Sequence, residues 1–128
     1  MPQNRYDDLK NNGVSGVTIV PAVYTADQDG TGVDFGAGSG LVSGVVSLGA
    51  INNATSGSIA FTESSDNTTF TAIAGSTAVT FTGTSDNTLQ VSAAFERTKQ
   101  YVRAEVDLSG GTISAGIAIT LHSGKKSY

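Results

Sequence analysis

The chain has 128 residues, enough for one domain with an ordinary hydrophobic core and too few for two. It has no cysteine, which excludes disulfides, thiolate metal sites and a thiol nucleophile. Its formal charge of −4, with only 14% of residues charged, argues against nucleic acid as a partner, because phosphate neutralisation needs a basic stripe.

No apolar run approaches the roughly 18–20 residues of a membrane span. The start of the chain, residues 1–8, is polar and lacks the apolar stretch of a signal peptide, so neither a membrane nor an export leader is expected. Residues 1–13 read as an N-terminal arm with Arg5, Tyr6 and Leu9 as isolated anchors and Asn11-Asn12-Gly13 as its stop. A first strand follows around Val17 and Ile19, is interrupted at Pro21, and continues after a kink over Ala22–Ala26. Asp27-Gln28-Asp29-Gly30 is a turn, residues 32–35 are a short extended piece, and residues 36–40 are a Gly-rich loop.

Leu41–Ile51 is rich in Val and Leu. Gly44 inside it signals a bulge or a close backbone approach. Ser58–Ser64 alternates, with Ile59, Phe61 and Glu63 on one face, and returns through Ser65-Asp66-Asn67-Thr68 to Phe70–Ile73 as a hairpin. The same wording recurs further on, where Phe81-Thr82 precedes Ser85-Asp86-Asn87-Thr88; two similar turns in one sheet account for it. Ala93–Lys99 reads as one helical turn or a loop.

Tyr101–Leu108 alternates strictly, with Val102, Ala104, Val106 and Leu108 on one face and Tyr101, Arg103, Glu105 and Asp107 on the other. Ser109-Gly110-Gly111-Thr112 turns the chain into Ile113–Leu121, whose apolar face is Ile113, Ala115, Ile117, Ile119 and Leu121. Residues 122–128 read as a polar tail. The organisation is an arm (1–13), a β domain (14–121) and a C-terminal tail (122–128). Roughly eight to ten short strands predict an all-β fold, an antiparallel β-sandwich or jelly-roll-like barrel. Its expected core holds Ile59, Phe61, Val79, Phe81, Val102, Val106, Ile117 and Ile119.

A search for chemistry finds no catalytic set. His122 is the one histidine and has no orienting partner in sequence. Most carboxylates fall at expected turns, where Asp serves the backbone. Asp27-Gln28-Asp29-Gly30-Thr31 resembles the start of a calcium loop, but Gly38 stands where the closing Glu belongs. Gly36-Ala37-Gly38-Ser39-Gly40 lacks the Lys-Ser/Thr ending of a phosphate loop. No enzyme activity, metal or cofactor is expected.

Five stretches taken in order resemble a group of small structural proteins encoded beside the capsid genes of tailed bacteriophages. They are Asn4-Arg5-Tyr6; Pro21–Asp27 leading into Gly30–Asp34; Phe61–Asn67 with Phe70; Tyr101-Val102-Arg103-Ala104; and Leu121-His122. The chain departs from that group at residues 36–40, which here are all small. The resemblance implies a jelly-roll-like domain in the virion, on the capsid surface. It implies a cement (decoration) protein bound to the major capsid protein, often as a homotrimer. A head–tail joining or tail protein is the second reading, and a carbohydrate-binding or adhesive module the third. In each case the arm, through Arg5, Tyr6 and Leu9, is the expected partner contact.

Overall fold

A computed structural model describes residues 14–123, and within them the fold is a sandwich of two antiparallel sheets. The first sheet begins with β1 (Val14–Tyr24) at its edge. The order of the other elements along the chain is β2 (Gln28–Asp29), β3 (Val33–Asp34), β4 (Gly40–Ile51), β5 (Ser56–Ser64), β6 (Thr71–Ala72), β7 (Val79–Thr82), a 3-10 turn (Gly83–Ser85), β8 (Leu89–Val91), β9 (Phe95–Arg97), β10 (Tyr101–Ser109) and β11 (Ala115–Ser123). The first sheet runs β1-β11-β4, with β8 and β9 both on the far side of β4. The second has β10 and β5 at its centre, β2 and β3 beside β10, and β6 and β7 beside β5. The sheets do not close into a barrel, so of the two expected architectures the sandwich is the one formed.

The alternation in the sequence sets the faces. Val102, Ala104, Val106 and Leu108 of β10, and Ala115, Ile117, Ile119 and Leu121 of β11, point into the core, where they meet Val42, Val46, Ile59 and Phe61. Val79 packs at the margin of this core rather than inside it. Gly44 marks a close approach: a Cβ there would lie 2.8 Å from Phe61 Cε1 and Cζ. That ring stacks on Phe95 at a centroid distance of 5.1 Å.

Two irregularities shape β1. Val17 pairs with Thr120 and Ile19 with Ile119, so Thr18 is an extra residue. This bulge turns Thr18 inward, where its Oγ1 accepts a hydrogen bond from Ala104 N of the second sheet at 3.0 Å and its carbonyl accepts one from Thr31 N at 2.8 Å. The second register shift, between Ile19 and Ala22, contains Pro21, whose missing N–H is tolerated on an edge strand at a bulge. The strand therefore continues through the expected interruption.

Four local readings change. Gln28 and Asp29 are not turn residues but pair with β10, opposite Val106 and Glu105. Phe95–Arg97 is neither helix nor loop but a strand on β4. β11 extends through His122 and Ser123, two residues beyond the expected end of the domain. The two Asp-Asn turns do share a left-handed Asn, with φ of 58° at Asn67 and 57° at Asn87. They do not share a sheet, because the first joins β5 to β6 within the second sheet and the other leads from β7 across to β8 in the first.

Candidate functional site

Charge is distributed unequally between the two sheets. β1, β4 and β8 contain no charged residue, β11 contains only His122, and β9 contributes Glu96 and an inward-facing Arg97. The second sheet carries Asp29, Asp34, Glu63, Arg103, Glu105 and Asp107. Since residues paired across antiparallel strands point the same way, the register identifies the outer face of the first sheet. One row crosses it as Val17–Thr120–Val45–Val91 and the next as Ala118–Ser47–Leu89.

Large apolar side chains stand exposed at both margins of this face. Val20 and Val23 on β1 are 63% and 68% exposed, and Leu89 and Val91 on β8 are 64% and 62% exposed. Between the margins the residues are small. At one end Gly116 lies against a bulge at Gly49 and Ala50, and the missing side chains leave an open groove walled by Pro21, Ala22, Val23, Ser47 and Ala118. Away from Glu96 and His122, which lie toward its other end, such a surface can be covered by another protein without desolvating a charge, which is the composition found at the centre of protein interfaces. Strand addition at the β1 edge is hindered by Pro21 and the Thr18 bulge, so the face, rather than the edge, is the surface suited to contact.

On the opposite sheet several charges are paired or bonded. Arg103 lies 2.9 Å from Glu105 Oε2 and 3.9 Å from Asp29, with its guanidinium 4.0 Å above the Phe70 ring centroid. Glu63, on the core side of β5, is buried and accepts hydrogen bonds from Thr98 N at 2.7 Å, Thr98 Oγ1 at 3.0 Å and Lys99 N at 3.2 Å.

The Gly-rich loop binds a cation of the chain itself. Arg97 Nη2 donates to Phe35 O at 3.0 Å, and Nη1 donates to the carbonyls of Gly36, Gly38 and Lys99 at 3.1, 2.9 and 3.0 Å. Gly36 and Gly38 adopt φ of 83° and 92°, which turns their carbonyls toward the guanidinium. Burial holds Arg97 below the ordinary arginine range, opposed by the nearby carboxylates of Asp34 and Glu63. The loop thus presents oxygens where a phosphate site needs N–H groups.

The other sequence candidates are dispersed. Arg5, Tyr6 and Leu9, and the arm as a whole, lie outside the described residues. Asp27 Oδ1 accepts from Leu108 N at 2.8 Å and Asp29 faces Arg103, so the two carboxylates of the calcium-like motif serve different partners. Among the described residues no group of three or more His, Asp or Glu could hold a metal ion. His122 Nε2 shares a hydrogen bond with Thr120 Oγ1 at 2.9 Å. Sequence reading missed the outer face itself, although the uncharged runs of β1 and β4 were its signal.

No family model matches the chain, and no curated protein matches it. Solved structures do. PBSX exported protein XepA aligns with 100% of this chain at a TM-score of 0.63 and 17% sequence identity. A structure described under the words "Bacillus endospore appendages form a novel family of disulfide-linked pili" aligns with 90% of this chain and 90% of that chain, at a TM-score of 0.48 and 12% identity. The chain spans 41% of the XepA chain, and what the two share is the β-sandwich fold.

Proposed function

We propose that this chain is a non-enzymatic structural subunit of a phage particle, working by binding other protein subunits through the outer face of its first sheet. The observation that carries the reading is that face: broad, uncharged across β1, β11, β4 and β8, and rimmed by exposed Val and Leu. A contact that buries it adds stability to whatever shell it joins by mass action. The ordered motifs that resemble capsid-associated phage proteins point to the major capsid protein as the partner, and a fold shared with an exported protein of PBSX fits the same setting. In its specific form the reading is a cement protein on the capsid surface.

The test is the copy number of the chain in purified particles, measured by quantitative mass spectrometry against the major capsid protein. A number matching the repeating positions of the shell is the expected result. A single ring's worth would assign the chain to the head–tail junction or tail instead, because one vertex offers only one set of symmetric sites. Absence from purified particles would refute the structural reading.

A further inference from the structure

We infer that, off the particle and in competition with the shell contact, the outer face of the first sheet pairs with the same face of a second copy of this chain, sheet against sheet. The inference rests on reading that face as a subunit interface, and it names one occupant.

Charge favours a second copy over a charged partner. The chain carries −4, so self-association through most surfaces brings like charges together. Through this face it does not. The carboxylates Asp29, Asp34, Glu105 and Asp107 are on the opposite sheet. A sandwich core is about 10 Å thick, and two packed sheets add about another 10 Å. In a face-to-face pair the acidic sheets are therefore about 30 Å apart, beyond the ~8–10 Å screening length of physiological salt. The Glu96 and His122 side chains lie toward the ends of the face rather than in its Val17–Thr120–Val45–Val91 row.

Area also suffices for a weak pair. Three long strands, β1, β11 and β4, spaced about 4.8 Å apart and each contributing about nine residues at about 3.3 Å, together with the short β8 and β9 beside β4, cover roughly 500–550 Å². Two copies then bury about 1,000–1,100 Å², the size of a weak, transient interface, which corresponds to a reversible dimer rather than a permanent one. The face carries both protruding side chains, Val20, Val23, Leu89 and Val91, and a groove beside Gly49 and Gly116 to receive them. A patch holding both knob and hole can complement itself, as a two-fold contact requires.

The experiment is sedimentation analysis of the full chain over a concentration series reaching about 100 μM, on wild type, Val23→Lys and Thr80→Lys. Val23 is 68% exposed and walls the groove. Thr80 is exposed on the other sheet, so that variant controls for added charge. Circular dichroism checks that all three are folded. We expect wild type and Thr80→Lys to shift from 13.0 kDa toward twice that mass as concentration rises, and Val23→Lys to stay at the single mass. Wild type that remains single throughout overturns the inference, as does a dimer or trimer that Val23→Lys leaves intact. Retention of the same variants on particles separates the two readings. If wild type is single in solution but Val23→Lys loses retention, the face binds another protein and only the pairing fails.

Discussion

Replacing Gly44 by Ala tests whether the core is as tightly filled as the structure indicates. The new Cβ would lie 2.8 Å from two ring atoms of Phe61 and 3.4 Å from Leu121 Cδ2. Carbon atoms prefer about 3.5–4.0 Å, so the ring must retreat by about 0.7 Å or more. It has nowhere easy to go, because Phe61 is 2% exposed and stacked on Phe95. Overpacking of this kind costs about 1–3 kcal/mol. The lower entropy of an unfolded chain with Ala in place of Gly returns about 0.4–1 kcal/mol, so a net loss of about 1–2 kcal/mol is expected. Phe61→Leu alone should cost a similar amount through lost packing. Together the two should interact: with the ring edge gone, Gly44→Ala should be close to neutral, a coupling of about 1–2 kcal/mol. Urea unfolding followed by far-ultraviolet circular dichroism suits a chain with no Trp. If Gly44→Ala costs the same in both backgrounds, the glycine is not making room for Phe61 and the argument fails.

Three further outcomes are expected. Val106→Asp should unfold the domain, since Val106 is 3% exposed in the middle of β10 and a buried unpaired carboxylate is expensive, whereas Glu105→Ser on the outer side should be mild; melting curves of the two variants compare them. Asp66 is held down to about 2 by hydrogen bonds from Thr69 N, Ser64 Oγ and Thr68 N, in that order with the first the largest. A carboxyl depressed in the folded state contributes stability that is complete above its unfolded value near 4 and is lost as pH falls toward 2. Asp66→Asn should therefore lose less stability than wild type between pH 4 and pH 2 in acid melts, and parallel curves would refute the role of these bonds. Removing residues 1–13 should leave the melting temperature nearly unchanged while reducing retention on particles; a truncated chain that unfolds, or binds as before, would end the reading of the arm as a contact element.

The strands β10 and β11 were legible because their inward positions are uniformly apolar. Tyr101–Leu108 and Ile113–Leu121 show the two-residue period directly, and the structure buries the expected face of each apart from Ile113, which is half-buried just before β11 begins. β9 was not legible for a physical reason. Phe95 and Arg97 both face inward, but an arginine reads as an outward residue, and only the carbonyl cup of the Gly-rich loop makes its burial tolerable. β2 was hidden because two residues show no period, and Asp-Gln-Asp-Gly is equally good turn chemistry. The outer face was half visible. The absence of charge in Val14–Tyr24 and Gly40–Ile51 could be read along the chain, but two bulges shift which residues of β1 face out, and the grouping of Val17, Thr120, Val45 and Val91 exists only in the register.

The pairing of Val14 with Ser123 has a mechanical consequence. The described body is entered and left at adjacent positions on one corner, as β1 begins and β11 ends. Tension applied between those two points does not load the β1–β11 ladder in parallel. It opens the ladder like a zipper, one hydrogen-bonded pair at a time from Val14–Ser123 inward, which is the weakest direction in which an antiparallel pair can be pulled. A load carried from one face of the sandwich to whatever lies against it avoids that path, spreading instead over all the strands of the sheet. The same corner also lets the domain sit within a longer polypeptide without separating the segments on either side.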